Sequence, residues 1–240
     1  MTTVTRSLKN YYLTVKRDFF NVPFGGYCAH VEVTSVRERI IVAAERLIAE
    51  RGQGVPQRDI VLAAAQRNNS VIQYHFGSRD GLIEAIVEYR LAALEIRRLE
   101  LLAEQSMSDH PETVHTLVQA LVIPMLELTA QHGVSHYARF LEQIQGHAAV
   151  TDAANLGSDR RTSVRLIMRR LDHELTALPP RLRVRRLRAL SITLFALLAD
   201  HERAVEAGRV RADDDQQWNE IIDMLAGLLT ASVSESAPIR

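Results

Sequence analysis

Cysteine is nearly absent from this chain. Cys28 is the sole thiol among 240 residues, so no intramolecular disulfide can form. That usage fits a reducing compartment. Net charge is absent too, since 29 basic residues balance 29 acidic ones. A strongly basic chain would advertise nucleic acid, and neutrality removes that signal. It does not exclude DNA, because only a docking face has to be positive. No apolar run approaches the roughly 20 residues that a membrane helix needs. The best run, from Ala189 to Ala199, is too short and carries Ser191 and Thr193. Lys16, Arg17 and Asp18 interrupt the apolar stretches near the start, which argues against a secretory signal. The expectation is a soluble cytoplasmic protein with no membrane partner.

Catalytic signatures are missing as well. There is no Gly-rich phosphate loop and no nucleophile elbow. His132 and His136 have the spacing of a zinc pair. Gly133-Val134-Ser135 between them reads as a helix start, however, and no Glu follows His132. Neither an enzyme nor a metal site is expected, and no cofactor is called for. No strand-period alternation of useful length occurs, and no internal repeat.

What is present is helical periodicity from Thr34 onward, in a chain that is 47% hydrophobic. That is enough apolar material for one large domain or two smaller ones. Residues 1–34 stand apart. Both lysines, Lys9 and Lys16, lie there, with six aromatics and the turn Pro23-Phe24-Gly25-Gly26. They read as a poorly ordered leader, the alternative being an arm that packs on the body or touches DNA. Ser35 is placed to cap a helix whose stripe is Ile40, Ala44, Leu47 and Ile48. Gly52 and Gly54 end it, and Pro56 suits the first turn of a second helix near 57–65. A third helix starts at Asn68 or Asn69 and ends near His75. Ser78 caps a long fourth with Leu82, Ala85, Ile86, Tyr89, Ala93 and Ile96 on its stripe. Breaks further on leave five segments, roughly 112–130, 135–148, 159–177, 181–206 and 215–232. The fold expected is all-α, with about nine helices: a three-helix helix-turn-helix unit over 35–80, a helical bundle over 81–233, and a tail at 234–240.

The third helix carries the chemistry. In a helix-turn-helix the second helix of the motif enters the major groove while the first crosses the backbone. Asn69, Ser70 and Gln73 are hydrogen-bonding side chains on one side of a helix, and Asn and Gln match adenine edges. Tyr74 and His75 can donate to phosphates. Arg58 and Arg79 begin the flanking helices, where phosphate clamps belong. Phe76 is expected to plug the small unit's core.

The stretch from Val36 to about Tyr89, above all Tyr74-His75-Phe76-Gly77-Ser78-Arg79-Asp80-Gly81-Leu82, resembles the DNA-binding domain of TetR-family transcriptional regulators. Pro56, Gln66, Ser70 and Gln73 depart from that family's usual Thr, Gly, Gly and Tyr. Gln66 falls at the inter-helix turn, where a non-Gly residue in the left-handed region costs on the order of 1 kcal/mol.

The resemblance implies a ligand-responsive regulator, a repressor by default, that binds a palindromic double-stranded operator as a homodimer. It also implies pairing through the last two helices and an effector pocket among the middle ones. Interface candidates are Leu190, Leu194, Leu197, Trp218, Ile222 and Leu225. Pocket candidates are Leu117, Leu121, Met125, Tyr137, Phe140, Ile144 and Met168, with His115 and His147 as polar groups, which suits a hydrophobic effector. The interface residues read equally as monomer core, and any single pocket residue reads first as ordinary core. The alternative function is a helical interaction module that does not bind DNA.

Overall fold

The computed structural model describes residues 35–132, 135–151 and 161–233. Every regular element among them is helical, as the periodicity predicts. The leader and the tail lie outside the described residues. The first four helices are α1 (Val36–Arg51), α2 (Gln57–Ala63), α3 (Ser70–Phe76) and α4 (Arg79–Met107). Then follow α5 (Val114–His132), α6 (Tyr137–Gln143), α7 (Ala148–Thr151), α8 (Thr162–Glu174), α9 (Pro180–Glu206) and α10 (Asp215–Thr230). These are ten described helices against about nine predicted. The difference arises in the segment 135–148, which the chain divides. The His147 N–H turns back to the Ile144 carbonyl at 2.8 Å, and His147 Nδ1 then accepts the Ala149 N–H at 3.1 Å, restarting the chain as α7.

Local sequence explains the helix starts. Ser35 Oγ accepts the Glu38 N–H at 3.1 Å, and the Glu38 carboxylate accepts the Ser35 N–H at 3.2 Å, a reciprocal capping box for α1. The predicted stripe of α1 is buried throughout. Ser78 Oγ accepts the Gly81 N–H at 2.9 Å and so opens α4. The two glycines at this junction are needed for different reasons. Gly77 has a φ of 73° with open space around it, so only its backbone conformation excludes a side chain. A Cβ on Gly81 would lie 2.1 Å from the Phe76 carbonyl oxygen, so there the space itself is missing. The end of α3 is thereby pressed onto the start of α4.

α4 has 29 residues, a length of about 43 Å at the usual helical rise. It packs on α1 and α3 near its start, and on α5, α7 and α8 further along. The core is one cluster from Ile40 to Leu229. Packing runs along α4 past residue 81 with no gap. α6 is seated between α1 and α9, and α5 lies against α10. α5 runs through Pro124, which removes one backbone donor from its ladder. Charged pairs join the layers. Arg90 grips Glu45 through Nε and Nη2 at 2.7 and 2.9 Å, tying α4 to α1. Arg97 does the same with Glu127 on α5. No described helix is long and apolar enough to cross a membrane.

Candidate functional site

α3 buries a single residue fully, with Val71 and Phe76 packed partly against the core. Only Ile72 is buried, while Asn69, Ser70, Gln73 and Tyr74 are exposed. Tyr74 is the extreme case at 84% exposure, with its ring edge-on to His75 at 4.9 Å. Of the two asparagines before α3, Asn68 does the capping, its Oδ1 accepting the Ser70 N–H at 2.9 Å. Asn69 holds the N-cap position without a side-chain cap bond. His75 and Phe76 are half-buried. The expectation that Phe76 plugs the core needs correction: Ile72 fills that place. Phe76 lies at the rim of the core with the Arg37 guanidinium over its ring, 5.4 Å from the centroid.

The cations divide into engaged and available ones. Arg79 is engaged. Its Nη1 donates to the Val55 carbonyl at 2.6 Å and its Nη2 to that of Gln53, so it braces the α1–α2 loop against the start of α4. That brace uses two of its five N–H donors. Arg58 is available, with a side chain 78% exposed and Nε 3.4 Å from Asp59. Arg37 was not singled out in the sequence, yet it is exposed at the rim of α3. Only the packing of α1 on α3 brings it there, so no local signal announces it. Residues 35–80 hold seven arginines against five carboxylates, which makes this part of a neutral chain locally positive. Arg46, Arg51, Asp59 and Leu62 help to line a shallow cleft of about 310 Å³ beside α1 and α2.

The turn before α3 also differs from expectation. The left-handed residue is Ala65, with a φ of 55°, and not Gln66. The Ala65 N–H reaches the Leu62 carbonyl at 3.0 Å and the Gln66 N–H reaches that of Val61 at 2.9 Å. This paired closure of a helix end places the positive φ one residue past the C-cap Ala64.

Six of the seven pocket candidates are buried: Leu117, Leu121, Met125, Tyr137, Phe140 and Ile144. Met168 packs against the same core from a partly exposed position. Tyr137 and Phe140 stack at 6.2 Å. The expected polar groups lie elsewhere. His115 pairs with Asp223 at 3.0 Å on the surface, and His147 Nε2 faces Asp80 at 3.4 Å. The interior polar residues are ones that sequence reading passed over: Glu95, Arg98 and Ser163. Burial pushes the Glu95 carboxyl up and the Arg98 guanidinium down. Nothing in a single helix stripe distinguishes them from exposed charges.

At the α6 start, Glu202 of α9 accepts the Ala138 and Arg139 N–H groups at 3.1 and 3.0 Å. Burial pushes this carboxyl up to about 7. Among the described residues no group of His, Cys, Asp and Glu is arranged to hold a metal ion.

The expected interface residues need correction. Leu190, Leu194, Ile222 and Leu225 are buried inside the protomer, while Leu197 and Trp218 are partly buried. Apolar positions repeated down a helix mark its buried face, and here that face is the contact between α9, α10 and the rest of the bundle. The apolar side chains that these helices turn outward are Val184, Ile192 and Met224. The arginine run at the start of α9 is partly absorbed: Arg183 pairs with Asp172 at 3.0 Å, and Arg186 donates to the Leu229 and Ala231 carbonyls at the end of α10. A cation there complements the negative helix terminus.

No protein-family model and no curated protein matches the chain. Among solved structures it is similar to a Rhodococcus sp. protein assigned to the TetR family of transcriptional regulators, at 16% identity and a TM-score of 0.40, over 80% of this chain and 98% of that one. It is also similar to a protein of Rhodococcus sp. RHA1 assigned as a transcriptional regulator, at 19% identity and a TM-score of 0.40, over 81% of this chain and 96% of the other. At that level neither assigns a function to this chain.

Proposed function

We propose that the chain is a DNA-binding transcriptional regulator of the TetR type, dimeric and responsive to a small molecule. The observation that supports this best is α3. A seven-residue helix that buries one side chain and holds Asn69, Ser70, Gln73 and Tyr74 in solvent is poor at stabilising a fold and well shaped to enter a groove. Gln73 and Asn69 read base edges, Tyr74 donates to a phosphate, and Arg58 and Arg37 supply the positive flank. Two copies related by a two-fold axis present two such helices to a palindrome. Ile192 and Met224, outward on α9 and α10, belong to the pairing surface in this reading.

Ligand response follows from the same arrangement. α6 touches α1 on one side and α9 on the other. Gln53, before α2, donates to the Gln143 carbonyl at the end of α6 at 2.6 Å. A ligand that prefers one position of α6 biases the spacing of the two α3 helices, which is a population shift between operator-matched and mismatched states. Release of the operator on ligand binding makes the regulator a repressor.

Footprinting on the DNA upstream of the chain's own gene tests the reading, backed by selection from random sequences. The expected result is a protected near-palindrome that weakens steeply with salt and is lost in Gln73→Ala/Tyr74→Ala. A folded protein that selects no sequence at low salt would sink the proposal in favour of a protein-interaction module.

A further inference from the structure

The bundle interior holds a cation with unused hydrogen-bond donors. Arg98 projects from the middle of α4 and is 3% exposed. Its Nη2 reaches the Leu121 carbonyl of α5, at a long 3.4 Å. Nε and Nη1 have no partner at all. Between them those two nitrogens carry three N–H donors. A buried guanidinium left in that state is strongly unfavourable, because it gives up its water and receives no acceptor in return.

The carboxylate best placed to answer it is committed elsewhere. Glu95, one turn back on α4, accepts the Ser163 N–H on Oε1 at 2.7 Å and the Ser163 hydroxyl on Oε2. The other nearby polar groups do not supply a negative charge. Arg161 donates to the Ala149 carbonyl at 2.6 Å, and the Tyr137 phenol is pushed up by burial and stays neutral. Leu121 of α5 lies at the tip of Arg98, and Tyr137 stacks on Phe140.

We infer that Arg98 anchors a ligand site inside the bundle, and that its ligand is a carboxylate with an apolar body. Unpaired N–H donors on a single guanidinium, at Nε and Nη1, suit one carboxylate. A phosphate dianion would want a second uncommitted cation, and the neighbouring arginines of α4, Arg90 and Arg97, are held by Glu45 and Glu127. The site rests on the reading of this bundle as an effector domain. It deepens that reading, because Arg98 ties α4 to Leu121 of α5, inside the bundle proposed to hold the effector.

Calorimetry and thermal shift on the intact chain test this with matched acid and amide pairs: octanoate against octanamide, and 3-phenylpropionate against its amide. At least one acid is expected to bind and raise the Tm, with its amide weaker by about tenfold or more, the worth of one buried charge-assisted contact. Arg98→Met is expected to abolish that preference while the unliganded protein keeps or gains stability, because the buried charge is gone. Arg98→Lys retains part of the preference. Equal binding of acid and amide, no binding by either acid, or undiminished acid binding in Arg98→Met would each overturn the inference. The acid–amide comparison on the unmutated chain decides the matter even if a variant misfolds. DNA plays no part in these measurements. Acid binding in a chain that binds no DNA would keep the site and remove the regulator; footprints from a chain indifferent to the acid would do the reverse.

Discussion

α3 and α6 are both seven-residue helices, and they are held in opposite ways. α3 buries Ile72 alone. α6 buries Tyr137, Ala138, Arg139, Phe140 and Leu141, and it has its first N–H groups satisfied by Glu202 from a neighbouring helix. Neither is long enough to be stable by itself in water. α6 is made helical by its surroundings. α3 is made helical largely by its ends, Asn68 before it and the Gly77–Gly81 junction after it, which leaves the face of Gln73 and Tyr74 free. The lesson is that burial, and not length or propensity, separates a helix that builds the fold from one that the fold displays.

The sharpest way to break this contrast is to remove one aromatic from each helix. Phe140 is fully buried and Tyr74 is 84% exposed. Phe140→Ala is expected to lower unfolding stability by about 3–5 kcal/mol, through lost burial and the cavity left behind. Tyr74→Ala is expected to change it by less than about 0.5 kcal/mol, as for surface positions generally. Urea unfolding of both variants checks this. A large loss for Tyr74→Ala would mean that α3 is a structural element and that its exposed face is not reserved for a partner.

A second, somewhat smaller effect sharpens the account of α6. Glu202 has its carboxyl pushed by burial from 4.5 to about 7. Between those values the folded chain keeps a proton that the unfolded chain has released. Glu202 therefore adds stability below pH 4.5 and loses it as pH rises through about 7, a swing of about 3 kcal/mol. His136 and His201 are both pushed down by burial and act in the opposite sense, since below their ordinary value the unfolded chain binds the protons. The total pH profile mixes these signs, so the measurement is the difference between the natural chain and Glu202→Gln. That difference should fall steadily from pH 4.5 to 7.5. A flat difference would show that the carboxyl titrates normally and that the two N–H groups hold it ionised.

Much of this was legible in the sequence. The stripe of α1, the caps at Ser35 and Ser78 and the breaks at Gly52 and Gly77 are local signals, and local physics decides them. The exposure of Asn69, Ser70, Gln73 and Tyr74 follows the same logic, because the apolar Val71, Ile72 and Phe76 take the inward side of that helix. Tertiary facts were illegible. The Arg79 side chain could serve a phosphate or a carbonyl, and only the approach of the loop at Gln53 and Val55 settles it. Leu190 and Ile222 had to be buried, but periodicity does not say whether by their own chain or by a second copy. Arg98 reads as any charge on a long helix, and only the packing of α5 on α4 shows it to be buried.

The smallest effect concerns the turn that aims α3. Ala65 holds a φ of 55°, where its Cβ crowds the following carbonyl. Glycine there removes that strain but gives the unfolded chain more freedom, so the two contributions oppose each other. Strain is the larger, and Ala65→Gly is expected to gain about 0.5–1 kcal/mol in urea unfolding. Gln66→Gly should gain nothing. Gln66 lies outside the left-handed region, and its side chain donates to the Ala64 carbonyl at 3.3 Å, a contact that glycine would lose. The pair of variants locates the strained residue by experiment. If the gain appears at 66 and not at 65, the closure of α2 is shifted by one residue. α3 would then be rotated by about 100° relative to α2, and the face that carries Gln73 and Tyr74 would be aimed elsewhere.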